Sequence, residues 1–195
     1  MQKYLDDGVC EEYPDSLIYV ERTQKNGKVR RGIVGQIDLE AYDYSVGSQS
    51  PVRATEGTII SRIPPRQRIR INAPVELPHI LMLADDRKKE IIEPINEIKN
   101  TLTLVYDFEL MQNGGHIKGW LLDDATKAKV LCAVERLEDK DQFEAKYGVK
   151  DKSVLAIAVG DGNHSLATAK SCWEEIKKNL TPEEQENHPA RYALA

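Results

Sequence analysis

One stretch decides the fold: Val154-Leu155-Ala156-Ile157-Ala158-Val159-Gly160-Asp161-Gly162-Asn163-His164-Ser165. Its first six residues are apolar, which is typical of a buried β-strand. The two glycines around Asp161 then predict a sharp turn, because glycine adopts backbone conformations that a Cβ atom excludes. Helix-compatible residues follow as far as about Asn179, so this part of the chain predicts a strand, a turn and a helix in direct succession.

A turn of this kind suggests an anion site. The start of a helix presents free backbone N–H groups and the positive end of the helix dipole, and together they favour a bound phosphate. Asp161 would repel a bare phosphate, so it is interpreted as a Mg²⁺ ligand or as a base, while His164 would assist by hydrogen bonding or proton transfer. The predicted ligand contacts are Gly160, Gly162, Asn163, Ser165 and Thr168. The same residues also suit an ordinary turn with a helix cap, and both interpretations stay open.

A second candidate segment begins at Arg53 and is the one basic region in an acidic chain. Thr55, Glu56 and Thr58 add two hydroxyls and a carboxylate to it. Guanidinium groups match phosphate geometry, so this segment would complete the pocket, with Glu56 as a catalytic residue, if it meets the turn at Asp161. The sequence leaves open whether the two segments meet. The alternative is a solvated face whose arginines pair with the chain's acids. The predicted phosphate contacts from this segment are Arg53, Thr55, Thr58, Arg66 and Arg68.

Outward from these segments, the pattern alternates between strands and helices. Asn26-Gly27 predicts a tight turn between strands at 16–22 and 29–39. A short buried strand is expected at 79–84, a helix at 87–98 that Pro94 kinks or splits, strands at 101–108 and 116–122, and helices at 125–137 and 143–147. This order predicts an α+β fold with a mixed, largely antiparallel sheet and packed helices.

Composition excludes several classes of protein. The 195 residues include 27 basic and 32 acidic side chains, a formal charge of −5, which disfavours a nucleic-acid binder. Three cysteines far apart offer neither a disulfide framework nor a CxxC motif, so a cytoplasmic protein is expected. There is no apolar run of about 20 residues, so no membrane association is expected. The oligomeric state is left open.

The chain resembles the uncharacterised bacterial and archaeal proteins catalogued as domain of unknown function ten-fifteen. Residues 17–20 and 31–35 look like the opening hairpin of that family, and residues 52–58 look like its Arg-His-Glu-x-Thr segment. The closest similarity is residues 161–165, which look like its Asp-Gly-His-His-Arg motif. Asn163 and Ser165 stand where the family carries histidine and arginine, and Ala54 stands where it carries histidine. The resemblance therefore implies that another arginine, from the region 62–70, supplies the positive charge, or that the ligand or activity differs.

The same motif is similar, more distantly, to the ParB and sulfiredoxin fold, whose members hold nucleotide phosphates on such a turn. By analogy, this implies binding of ATP or ADP with Mg²⁺, and a phosphotransferase that acts on a small hydroxyl compound, as the serine kinases of that fold do. Two alternatives are a nucleotide-responsive binding module and a non-catalytic copy. Residues 1–195 are expected to form a single α+β domain, or the central part of a longer protein, with a hairpin region at 1–50 and a ligand-binding core at 51–195.

Overall fold

A computed structural model describes residues 1–77 and 79–195. The chain forms an α+β fold, as predicted, and its residues separate into two compact units. The first unit comprises Met1–Glu12, Gln36–Asp85 and Leu137–Ala195, and the second comprises Tyr13–Gly35 and Asp86–Arg136. The predicted division of the chain between residues 50 and 51 stays a prediction. The strands are β1 (Ile18–Thr23), β2 (Val29–Val34), β3 (Gln36–Asp38), β4 (Tyr42–Asp43), β5 (Val52–Ala54), β6 (Leu81–Ala84), β7 (Thr103–Glu109), β8 (His116–Leu121), β9 (Ile157–Asp161) and β10 (Tyr192–Leu194).

None of the helices in the described residues is long and apolar enough to cross a bilayer. The helices are α1 (Gln2–Asp6), α2 (Ile63–Arg70), α3 (Glu93–Ile98), α4 (Asp124–Glu135), α5 (Lys140–Tyr147), α6 (Asn163–Ile176) and α7 (Pro182–Glu186), of which α3 and α4 belong to the second unit.

The second unit is built on an antiparallel sheet in the order β2-β1-β8-β7. The hairpin of β1 and β2 closes through Asn26-Gly27, as predicted, with Gly27 at φ +78° and the Asn26 side chain accepting from the Lys28 N–H. On one face the rings of Tyr19 and Trp120 pack 5.7 Å apart. Because aromatic pairs are strong sheet contacts, this pair fixes the register of β1 against β8.

The sheet of the first unit contains β9, the strand that leads into the turn at Gly162. Its order is β4-β5-β9-β6, with β4, β5 and β9 parallel and β6 antiparallel to β9. The core includes Val159 of β9 together with Leu166 and Trp173 of α6, all fully buried. Therefore α6, which follows β9 in the chain, packs on the same sheet, and the first turn of α6 is buried in the core.

A small sheet of β3 and β10 completes the first unit. Asp38 accepts a bidentate hydrogen bond from the Arg191 guanidinium, with contacts of 3.0 and 2.6 Å. Glu40 accepts from the buried Trp173 indole and from Lys177. These contacts attach the last residues of the chain, and the segment after β3, to the side of α6.

Three predicted elements differ from the observed ones. The strand predicted at 29–39 divides at Gly35, because Gln36–Asp38 pairs with β10 instead of continuing the hairpin. The strand predicted as buried at 79–84 is the edge strand β6, in which Leu81 and Leu83 are exposed. The helix predicted at 87–98 begins only at Glu93. Pro94 lies in its first turn, where the N–H that proline lacks is not needed for a helical hydrogen bond.

Candidate functional site

The turn between β9 and α6 is built on Gly162, which has φ +80°. A Cβ atom at this position would lie 2.9 Å from the Ile80 Cα and 3.1 Å from the His79 carbonyl oxygen. The structure assigns the need for glycine here to the chain's own packing, because residues 79–80 occupy the space in front of Gly162.

Side chains of the turn already bind some of the amides at the start of α6. The Gly162 N–H donates to Asp161 Oδ1 at 2.7 Å, and the His164 N–H donates to Asn163 Oδ1 at 2.9 Å. The N–H groups of Ser165 and Leu166 both donate to the Gly162 carbonyl. An incoming anion would therefore meet the Asp161 carboxylate at the positive end of the helix, so a bare phosphate is disfavoured here.

The segment 55–59 lies against this turn and is attached to it at both ends. Since β5 runs parallel to β9, the carboxyl ends of both strands meet at one edge of the sheet. The N–H and hydroxyl of Thr55 both donate to the Val159 carbonyl, at 3.1 and 2.9 Å. The Ile59 N–H donates to His164 Nε2 at 3.1 Å. Glu56 lies between these two attachments and is exposed, as is Asp161.

The bond from Ile59 restricts what His164 can do. Because Nε2 accepts a hydrogen bond, the neutral ring carries its proton on Nδ1. Nδ1–H is then the donor available to a ligand. A proton taken up at Nε2 would break the contact with Ile59, so the arrangement favours the hydrogen-bonding role predicted for His164 over proton transfer through Nε2.

Three buried side-chain atoms of the first unit lack a hydrogen-bond partner: Tyr42 Oη, Thr58 Oγ1 and Asn163 Nδ2. They are the only such atoms in the described part of the chain. An unsatisfied buried polar group costs about 1–3 kcal/mol, so folded proteins rarely retain one without a reason. Tyr42 was not predicted from the sequence, because its place beside β5 depends on a parallel pairing that no local pattern reveals.

The predicted arginines occupy different places along the first unit. The Arg53 guanidinium donates to Ser48 O, to Ser153 Oγ and O, and to Val154 O, near the start of β9 rather than its end. The Arg66 guanidinium donates to Arg62 O, and Arg68 is exposed. Both belong to α2, which lies along α6, since Gln67 contacts Ser171 two turns beyond the site. The structure therefore brings neither Arg53 nor the end of α2 to the turn.

The remaining predicted residues are placed as follows. Thr168 is buried, and its hydroxyl donates to the His164 carbonyl at 2.7 Å, so it stabilises the first turns of α6. Gly160 is an exposed residue of β9, and Ser165 is half-buried. Apart from Pro78, which is not described, no group of three or more His, Cys, Asp and Glu side chains is arranged to hold a metal ion.

A comparison with family models gives a match over the whole chain. The model described as Protein of unknown function (DUF1015) covers residues 1–195. The chain belongs to this family. No curated protein and no solved structure gives a significant match. The resemblance of this DUF1015 protein to the ParB and sulfiredoxin fold therefore stays a prediction.

Proposed function

We propose that this DUF1015 protein binds a nucleotide or another phosphate-bearing molecule where segment 55–59 meets the turn 161–165, and that it transfers a phosphoryl group to a small hydroxyl compound with Mg²⁺. One observation carries the proposal: two adjacent parallel strands, β5 and β9, end beside the amino end of the 14-residue helix α6. In open sheets that contain parallel strands, ligands bind outside the carboxyl ends of those strands.

A second, independent observation comes from Asn163. Its side chain is 4% exposed, its Oδ1 accepts from the next amide of α6, and its Nδ2 has no partner. The carboxamide therefore lies across the amino end of the helix with a donor unused. A ligand oxygen at this point would satisfy that donor and interact favourably with the helix dipole.

Asp161 has a defined part in this proposal. One of its oxygens accepts from the Gly162 N–H, which leaves the other for a cation. Mg²⁺ commonly binds one or two carboxylates together with substrate phosphate oxygens, and such an ion would offset the repulsion between Asp161 and the ligand. A site with one protein carboxylate suits an ion that arrives with the nucleotide.

In the transfer step, the acceptor oxygen bonds to the terminal phosphorus as the bond to the diphosphate leaving group breaks. Glu56, exposed beside the turn, takes the hydroxyl proton. His164 donates from Nδ1 to a phosphate oxygen. Positive charge comes from Arg62, whose side chain is exposed and whose backbone N–H donates to Ile59 O at 3.0 Å.

Titration calorimetry with ATP and ADP, each with and without Mg²⁺, tests the binding step. We expect Asp161→Asn to keep the Gly162 contact, because an amide oxygen still accepts it, and to lose most of the Mg²⁺-dependent part of the affinity. Asp151→Asn is the matched control, since Asp151 is an exposed aspartate of the same unit at φ +56°. Asparagine tolerates that conformation, so we expect unchanged affinity.

The outcomes separate the alternatives. Heat on injection of either nucleotide with Mg²⁺, followed by phosphorylation of an added alcohol, supports a phosphotransferase. Binding without turnover on any hydroxyl compound supports the nucleotide-responsive binding module instead. An absence of binding by wild type to both nucleotides, in a sample that unfolds cooperatively, would overturn the proposal.

A further inference from the structure

We propose that the outward side of α2 docks on an anionic lipid bilayer, so that the protein binds reversibly at a membrane surface. This α2 surface consists of Arg66 and Arg68 together with the exposed isoleucines Ile60, Ile69 and Ile71. Peripheral binding of this kind requires a basic and apolar surface, not an apolar run of membrane-spanning length. Docking there is independent of the proposed nucleotide site.

Contacts with α6 determine which side of α2 faces outward. Ile63 is buried, and the Gln67 amide donates to the Ser171 hydroxyl of α6 at 2.8 Å. Because Ile63 and Gln67 are four residues apart, they lie on the same side of the helix. Arg68 and Ile69 consequently lie on the side turned away from α6, and both are exposed.

The arginines on the two sides of α2 differ in their partners. Arg70 is mostly buried and forms an ion pair with Glu76. Arg66 and Arg68 are exposed, and neither forms an ion pair with any residue that the structure describes. Segment 57–75 contains four arginines and no acidic residue, in a chain whose formal charge is −5. Such a local excess of unpaired positive charge attracts an anionic partner.

Aliphatic side chains lie among these charges. Ile60 is 62% exposed, Ile69 is 77% exposed and Ile71 is 51% exposed. A single exposed isoleucine is ordinary, whereas a group of them beside unpaired arginines is typical of an interaction site. At a bilayer the isoleucines would enter the boundary between headgroups and acyl chains. The aliphatic stems of the arginines would lie beside them, with the guanidinium groups among the lipid phosphates.

The composition and shape of the α2 surface favour a bilayer over other anionic partners. Segment 57–77 contains no aromatic residue on which a nucleic-acid base could stack. An acidic helix from another protein would bind in an apolar groove, whereas the outward side of a single helix is convex. A bilayer is flat, carries anionic headgroups and has an apolar interior directly beneath them, so it complements both the arginines and the isoleucines.

Sedimentation of the full chain with lipid vesicles tests the charged part of the surface. We expect binding to vesicles of phosphatidylcholine and phosphatidylglycerol in equal parts, no binding to phosphatidylcholine alone, and weaker binding as salt is added. Replacement of both arginines, Arg66→Gln with Arg68→Gln, should weaken binding by at least about tenfold. The matched control is Lys28→Gln with Arg30→Gln, which removes two exposed basic side chains of the second unit and should leave binding unchanged.

The apolar part is tested in the same assay. We expect Ile69→Ser to weaken binding by at least about fivefold, because a buried isoleucine would be lost from the interface. Val46→Ser is the control, since Val46 is a completely exposed aliphatic residue of the same unit, outside the α2 surface. Its binding should equal that of wild type.

Three results would overturn the proposal. The first is equal binding to both kinds of vesicle, or to neither, by a wild-type sample that unfolds cooperatively. The second is a loss in either control as large as in its test variant, since net charge or general apolarity would then explain binding. The third is binding to another partner without binding to vesicles. Dimerisation abolished by Ile69→Ser would assign the surface to a second copy, and salt-sensitive binding of an oligonucleotide would assign it to nucleic acid.

Discussion

Tyr19 and Tyr42 are both completely buried tyrosines, one in each unit, and they differ in what surrounds the hydroxyl. The Tyr19 hydroxyl donates to Glu21 Oε1 at 3.0 Å. The Tyr42 hydroxyl has no partner. The difference teaches that the antiparallel sheet of the second unit uses its buried polar groups for its own structure. The parallel edge of the first unit retains polar groups that its structure does not use, which is the pattern expected of a binding site.

Glu21 is the centre of the satisfied network. Its Oε1 also accepts from Arg31 Nε at 3.0 Å and from Lys99 Nζ at 2.7 Å. Burial acts to raise the pKa of Glu21, but the hydrogen bonds from Lys99, Arg31 and Tyr19 outweigh burial and hold the pKa below its ordinary value. Tyr19, Arg31 and Lys99 thus all donate to one carboxylate of the same sheet. Tyr19 and Lys99 also donate to Asn96 Oδ1.

The largest effect on stability is expected in the candidate site of the first unit, at Gly162. Gly162→Ala combines a left-handed backbone conformation, about 1–2 kcal/mol, with overpacking against Ile80, typically about 1–3 kcal/mol. We expect the free energy of unfolding of the first unit to fall by about 2–5 kcal/mol in urea denaturation. Gly148→Ala is the control, since Gly148 has φ +64° with open space around it and should show only the conformational part. Equal losses in the two variants would mean that residues 79–80 do not hold the turn.

The features that could be predicted from the sequence are those formed by residues close together in the chain. Local chemistry identified the hairpin at Asn26-Gly27 and the strand–turn–helix at Gly162, because neighbouring residues specify both of them. Local chemistry does not predict which distant segments pair with one another. Two such contacts are the parallel pairing of β4 with β5, which places Tyr42, and the hydrogen bond from Arg53 to Ser153. The segments that they join show no periodic pattern of their own. The turn was therefore predicted where the structure has it, while the place of Tyr42 beside β5 was not predicted.

The next largest effect is expected in the hydrogen-bond network around Tyr19 and Glu21. Glu21→Gln should remove the charge that Lys99 and Arg31 share and weaken the bond from Tyr19, with a loss of about 2 kcal/mol, because hydrogen bonds to charged groups contribute about 1.5–3 kcal/mol. Denaturation at neutral pH measures it. Since the folded pKa of Glu21 is lowered, its contribution is present above its ordinary value of 4.5 and is lost as the pH falls through the folded value. An unchanged unfolding curve would show that the network is not structural and would remove the contrast with Tyr42.

A smaller effect concerns a row of alternating charges across the same sheet. Arg31, Glu21, Lys118 and Asp107 occupy directly paired positions on β2, β1, β8 and β7. Because the Arg31 side chain is 43% exposed, solvent screens its interaction with Glu21. We expect Arg31→Ala to lower the unfolding free energy by about 0.2–1 kcal/mol. A double-mutant cycle with Glu21→Gln isolates the pair, and a coupling above about 2 kcal/mol would contradict the assignment of this arginine to the screened rim of the network.

The smallest effect is a pH dependence at the open end of that sheet. His116 Nδ1 lies 2.7 Å from Glu109 Oε1, and Nε2 contacts Asp107, so both carboxylates favour the imidazolium and raise the pKa of His116 above its ordinary value of 6.5. A raised folded pKa means that the contribution to stability is complete below the unfolded pKa and is lost as the pH rises through the folded value.

Melting temperatures of wild type and His116→Gln at about pH 5.5 and about pH 9 measure this contribution, with the other titrating groups common to both proteins. We expect wild type to be the more stable at the lower pH and the difference to vanish at the higher pH, and added salt to reduce it because the cluster is exposed. The opposite sign would mean that the imidazole is neutral between the two carboxylates. That result would extend to the second unit the kind of unsatisfied polar arrangement that otherwise distinguishes Tyr42 and the parallel edge of the first.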